Sequence, residues 1–242
     1  MRPTRRNLLL TLPALAPARP RAIAAVAFDA FAIFDPRPVA AKLMQMLPGQ
    51  APNLAEQWRQ KQFESTWLRT LSNQYADFWQ VTRESLAYTL RSNNLVLSAP
   101  QQEELLDTYR VLPLWPDSAS ILAELHASGL ELTFLSNMTE SMLRANLRHN
   151  RLEKYFPKLL STDLAAVFKP HPRAYNLAPT RLRLPKSSIV FVAFAAWDAA
   201  GASRFGFPTY WANRGQQAPE AWMESSVQIA PSLVLLPKFL HL

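Results

Sequence analysis

A chain of 242 residues, 49% of them hydrophobic, is long enough to bury one core with a modest insertion and needs no covalent staples to do so. The absence of cysteine excludes disulfides, thiolate metal sites and a cysteine nucleophile, and the four histidines, His126, His149, His171 and His241, are too dispersed to suggest a zinc cluster. The formal charge of +8 invites a nucleic-acid reading, but Arg2, Arg5, Arg6, Arg19 and Arg21 carry five of those eight charges ahead of the first acidic residue. The remainder is nearly balanced, so no nucleic-acid partner is expected.

The arginine-rich start has a logic of its own. A basic stretch with the pair Arg5-Arg6 precedes the apolar run Leu8 to Leu12 and the small residues Ala14-Leu15-Ala16, the order found in secretory signals. Thr4-Arg5-Arg6-Asn7-Leu8-Leu9 resembles a twin-arginine export signal. Residues 1–24 are therefore expected to be such a signal, with a periplasmic mature protein, or else a basic tail on a cytoplasmic one. The apolar run is short and interrupted by Pro13, which excludes a permanent membrane anchor there.

From Ile23 the chain turns apolar and runs through Phe28 into Asp29 without polar alternation, the pattern of a strand buried on both faces. Similar runs recur at Leu130 to Leu135, Ile189 to Phe194 and Thr209 to Trp211, with helices predicted over Ser118 to Ala127 and Thr139 to His149. This alternation predicts an α/β fold, a Rossmann-like core with a parallel sheet flanked by helices. Between Val39 and Val111 the apolar residues fall three to five apart instead, as in Trp58, Phe63, Trp67, Leu71 and in Phe78, Val81, Leu86, Leu90. A helical insertion is expected over 39–111, between core segments 25–38 and 112–236. The apolar run Leu233 to Leu236 reads as an edge strand or a short helix.

In open parallel sheets, ligands sit beyond the carboxyl ends of the strands. Asp29, Ser136 and Asp198 follow three predicted strands, and Lys169 lies in a loop that can reach them. Each has an ordinary reading alone, since Asp and Ser cap helices and turns and a loop lysine is usually solvated. Together they place a candidate nucleophile beside an ammonium that favours its ionised form.

These residues sit in segments that resemble one family. They are Phe28-Asp29-Ala30-Phe31-Ala32-Ile33-Phe34-Asp35, Trp58-Arg59-Gln60-Lys61-Gln62-Phe63-Glu64, Thr66-Trp67-Leu68-Arg69, Leu135-Ser136-Asn137, Phe168-Lys169-Pro170-His171-Pro172-Arg173-Ala174-Tyr175 and Ala196-Trp197-Asp198-Ala199. From about Ala27 to Arg214 the chain resembles the type II (S)-2-haloacid dehalogenases of the haloacid dehalogenase superfamily. The resemblance implies a core with an inserted helical cap, a homodimer, and two-step hydrolysis of small 2-halocarboxylates through an aspartyl ester, without metal or cofactor. It implies Asp29 as nucleophile, Arg59 as the cap residue receiving the halide, and Ser136 with Asn137 and backbone amides near Ala30 and Phe31 holding the substrate carboxylate. Lys169 and Asp198 would serve catalysis, Tyr175 would be the hydrogen-bonding neighbour of Lys169, and Phe31, Phe63, Phe78 and Trp197 would wall the pocket.

The phosphatases of the superfamily carry a second aspartate two residues after the nucleophile. Here that position is Phe31, and Asp198 has no adjacent acid to help hold Mg²⁺, so halide displacement fits better than phosphate-ester hydrolysis. The chain also departs from the dehalogenases. Ile33, Ala193 and Ala195 stand where the family resemblance implies polar side chains, and Ala32 and Met138 where it implies glycine. A catalytically impaired homologue that binds small carboxylates, or a structural relic, is the alternative reading. Strain at Ala32 or Met138 is expected if either backbone position has positive φ.

Overall fold

The computed structural model describes residues 23–49 and 53–242. The export signal expected within residues 1–24 lies outside the described residues apart from its last two positions. In chain order the elements begin with β1 (Ala25–Phe28), the single turn α1 (Ala30–Ile33) and the helices α2 (Arg37–Met46), α3 (Leu54–Leu71), α4 (Phe78–Ser92), α5 (Ala99–Asp107) and α6 (Ser118–Ala127). There follow β2 (Glu131–Ser136), α7 (Glu140–Asn150), β3 (Lys158–Ser161), α8 (Pro172–Tyr175), α9 (Leu177–Leu182), β4 (Ile189–Ala193) and α10 (Ala196–Phe205). The chain ends with β5 (Thr209–Ala212), β6 (Gln228–Ala230) and the turn α11 (Leu236–Phe239).

The six strands form one sheet in the order β3-β2-β1-β4-β5-β6, every neighbouring pair parallel. Both faces are covered, as the unbroken apolar run of β1 requires. Val26 and Phe28 face one layer with Leu122, Leu125 and Met142, whereas Ala25 and Ala27 face the other with Tyr175, Ala178 and Ala199. Full burial of Phe28 alone contributes roughly 1.5–3 kcal/mol. The architecture is the expected Rossmann-like α/β core. The order turns at β1, from which β2 and β3 extend one way and β4 to β6 the other. Asp29 therefore stands at the switch point, where such sheets open a crevice.

Among the described residues no strand lies between Phe28 and Glu131. The chain leaves the sheet at Phe34 and returns at Leu114, and the two residues form an isolated antiparallel bridge. The Asp35 amide donates to Pro113 O at 2.8 Å and the Trp115 amide to Ile33 O at 3.1 Å, tying the two crossings together. Within the insertion, Leu54, Trp58, Gln62 and Thr66 recur every four residues and form the buried face of α3. This face meets α4, where Trp58 Nε1 donates to Thr82 O at 3.1 Å and Gln62 Nε2 to the Thr82 hydroxyl at 2.5 Å. Asp77 caps α4 by accepting from the Gln80 amide, and Ser98 with Gln101 forms a capping box on α5.

Two elements depart from the sequence reading. The strand β3 was not anticipated, because Lys158-Leu159-Leu160-Ser161 is too short to show a period. At the C-terminus the edge strand is Gln228–Ala230, and the run from Leu233 leads into α11. Neither Ala32 nor Met138 has positive φ, so the side chains at these positions bring no backbone strain. Among the described residues no helix is long and apolar enough to cross a membrane.

Candidate active site

Asp29 is set by the end of β1. Its amide extends the ladder by donating to Val192 O at 2.9 Å. Its side chain then caps α1, Oδ2 accepting from the Phe31 amide at 3.0 Å. The other oxygen, Oδ1, accepts from the Lys169 ammonium at 2.9 Å. One carboxylate thus has a donor on each oxygen, and both donors stabilise negative charge. The Phe31 amide, expected to help hold a substrate carboxylate, is engaged by Asp29 itself.

Lys169 is fully buried and serves a second acid, donating to Asp198 Oδ2 at 2.6 Å. Burial by itself disfavours its ammonium, but the charges of Asp198 and Asp29 outweigh this and hold it above the ordinary lysine range. Asp198 lies in the first turn of α10, and its Oδ1 accepts from the Tyr175 hydroxyl at 2.7 Å. Burial pushes the Asp198 carboxyl up to about 6, the charge of Asp29 adds to the rise, and Lys169 and Tyr175 oppose it. The Tyr175 hydroxyl is itself raised well above its usual value, first by burial and then by the charge of Asp198, so it remains a donor.

Ser136 ends β2, two strand ends from Asp198 across β1. Its hydroxyl oxygen accepts from the Met138 amide at 3.1 Å. Asn137 is buried beside it, with Oδ1 accepting from the Lys169 amide at 3.0 Å and the Thr162 hydroxyl at 3.4 Å. Its Nδ2 has no partner among the described residues. Thr162 and this link from Asn137 to the Lys169 backbone were not read from the sequence.

Asp29, Ser136, Asn137 and Asp198 meet at a narrow cavity of about 20 Å³, walled by Phe31, Phe63, Phe78 and Trp197. Phe194, Met138 and Ala195 complete the lining. The sequence held a signal for Phe194, since it follows the strand next to β1 on the carboxyl side of the sheet. Phe63 and Trp197 meet edge to face with centroids 5.5 Å apart. Beyond them an open groove of about 650 Å³ shares Phe63, Ala195 and Trp197 with the cavity and continues past Glu56, Arg59 and Gln217.

Arg59 is not brought into the cavity. Its guanidinium is held on α3 by Glu56, with Nε donating at 2.8 Å and Nη2 at 2.5 Å, and both side chains are nearly half exposed. The family resemblance implied a cap residue that receives the halide. It lines the groove outside the Phe63–Trp197 contact instead, because a carboxylate one helical turn earlier offers a bidentate partner.

Chemically, the arrangement supplies a carboxylate with two donors, a water-excluding aromatic wall, and a second acid whose buried carboxyl is drawn toward neutral pH. The family model for haloacid dehalogenase-like hydrolases matches residues 15–206, more than half of the chain. The (S)-2-haloacid dehalogenase of Pseudomonas sp. (strain YL) is 41% identical over 193 residues, covering 79% of this chain and 83% of that one. (S)-2-haloacid dehalogenase 1 of Pseudomonas sp. (strain CBS-3) is 37% identical over 220 residues, covering 88% and 97%. Among solved structures, the L-2-haloacid dehalogenase of Xanthobacter autotrophicus with chloropropionic acid covalently bound is similar with a TM-score of 0.81 and 34% identity, over 90% of this chain and 98% of that one.

Proposed function

Because this chain belongs to the (S)-2-haloacid dehalogenase family of haloacid dehalogenase-like hydrolases, we propose that it hydrolyses (S)-2-haloalkanoic acids to 2-hydroxy acids through an ester on Asp29. The observation that carries this reading is the pair of donors on Asp29, Lys169 Nζ and the Phe31 amide, at the floor of an aromatic cavity. In the first step a carboxylate oxygen of Asp29 bonds to the α-carbon as the carbon–halogen bond breaks with inversion, and halide leaves with the bonding pair. In the second, water attacks the ester carbonyl carbon, the carboxylate of Asp29 is restored, and the hydroxy acid and one proton are released. Asp198 receives that proton, its carboxyl being raised toward neutral pH by burial.

The cavity is too small for a 2-haloacid, so the helical segment over 39–111, which we assign as a cap on core segments 25–38 and 112–236, moves to admit substrate. The groove beside Phe63 and Trp197 is the entrance. Ser136 and Asn137 hold the substrate carboxylate, the free Nδ2 of Asn137 providing a donor. Arg59 reaches the departing halide when its guanidinium exchanges Glu56 for the anion, a developing negative charge that a guanidinium stabilises well where water is excluded. We assign residues 1–24 as an export signal on the strength of Arg5-Arg6 and the apolar run that follows, and a homodimer as the working assembly.

The test is halide release from each enantiomer of 2-chloropropionate, by the full chain and by Asp29→Asn. Release from the (S) enantiomer alone, abolished in the variant, is the expected result. Equal release by parent and variant rules the mechanism out. Cell fractionation decides the location, and sedimentation decides the assembly.

A further inference from the structure

Gly201 lies in the interior of α10, fully covered, and its φ is not in the left-handed region. No turn calls for it, and glycine in a helix interior is less favourable than alanine. Its use lies on its missing side. A Cβ built there would stand 2.5 Å from the Tyr175 hydroxyl oxygen, 2.8 Å from Pro170 Cβ and 3.2 Å from Tyr175 Cε2. Gly201 follows Asp198 by three residues, so the two share one face of the helix. The Tyr175 hydroxyl occupies the space over Gly201 and from there donates to Asp198 Oδ1 at 2.7 Å and, more weakly, to Asp198 O at 3.2 Å. The ring cannot retreat, because Phe191, Phe205 and Phe207 surround it with centroids 5.8, 5.7 and 6.3 Å away.

We propose that Gly201 is a positioning residue for the reaction, its bare backbone giving the Tyr175 hydroxyl the seat from which it holds Asp198. This rests on the dehalogenase reading for its kinetic consequence, though the packing relation stands without it. With Tyr175 displaced, Asp198 keeps one donor, Lys169, and loses the bond that fixes its second oxygen and favours its charged form. A displacement of about 1 Å at such a group costs on the order of 10²-fold in rate.

The experiment is a four-protein cycle of parent, Gly201→Ala, Tyr175→Phe and the double variant, with halide release from (S)-2-chloropropionate followed against pH and melting temperature measured in parallel. Gly201→Ala is expected to lower release by tenfold to a hundredfold, on the scale of that displacement, and to move the acid limb of the pH profile upward, as Tyr175→Phe does. In the double variant no hydroxyl opposes the new methyl group and only the Pro170 and ring-edge contacts remain, so the alanine adds less to either effect than it does in the parent. Two effects that simply multiply, or a lowered melting temperature with an unmoved pH profile, overturn the proposal. If Gly201→Ala does not fold, a double variant that folds like Tyr175→Phe supports it, and one that stays unfolded overturns it, the obstruction then being Pro170. If the parent releases no halide, the dehalogenase reading fails, while the same non-additivity in melting temperature still decides whether Gly201 seats Tyr175.

Discussion

Lys169 donates to Asp198 at 2.6 Å, and both side chains are almost completely removed from solvent. The same ammonium reaches Asp29 at 2.9 Å, so one buried cation balances two acids from different strand ends. The chemistry proposed for Asp29 and Asp198 depends on this shared charge.

Replacing Lys169 by methionine keeps much of its volume and removes the charge. Two carboxylates then face each other without a cation, and removing one partner of a buried ionic group costs roughly 3–5 kcal/mol. Lys169→Met is expected to melt well below the parent at neutral pH and to release no halide. Denaturant unfolding measures the first and halide assay the second. Parent-like stability would show that the ion triad is not buried as described.

The raised carboxyl of Asp198 sets a pH window. Its ordinary value of 3.8 is pushed up to about 6 in the folded protein, so between these values the folded state binds more protons than the unfolded one. By linkage, its contribution to stability falls as pH rises through that window. Acidification through about 6 therefore neutralises Asp198 without unfolding the chain by this route. Halide release is expected to decline as pH drops below about 6 while circular dichroism stays native. Coincident loss of both signals contradicts the assignment.

Much of this site was legible because its chemistry sits at strand ends. Asp29, Ser136 and Asp198 follow apolar runs whose parallel pairing brings them together, and the sheet order puts Asp29 at the switch point. The burial of Lys169 was not legible, since a loop lysine next to proline carries no signal that two acids will enclose it. Arg59 shows the limit for long side chains. Its place on a helix followed from the helical period, but its pairing with Glu56 is a side-chain conformation that the period does not show. The short strand β3 and the seat that Gly201 makes for Tyr175 depend on contacts between segments far apart in sequence.

The three apolar replacements do not have one role. Ala195 lines the cavity and is the N-cap of α10, without a side chain to cap it. Ile33 and Ala193 are buried on opposite faces of the sheet and do not line the cavity. Ala195→Asn is expected to stabilise the protein by about 1 kcal/mol through capping and to speed halide release, bringing an amide beside Asp198. Ile33→Thr places a hydroxyl in an apolar layer and is expected to cost about 1–3 kcal/mol with no gain in rate. Melting curves and halide assays on the single variants separate these outcomes. A rate gain from Ile33→Thr alone contradicts this division.

The ester on Asp29 is tested most directly by isotope. The full chain is allowed many turnovers of (S)-2-chloropropionate in water enriched in heavy oxygen, then digested, and the peptide containing Asp29 is sequenced by mass spectrometry. Attack of water on the ester carbonyl leaves heavy oxygen in the side chain of Asp29, and that label, absent without substrate, is the expected result. Heavy oxygen found in the hydroxy acid from the first turnover onward, with none in Asp29, means that water displaces the halide directly, and contradicts the covalent mechanism.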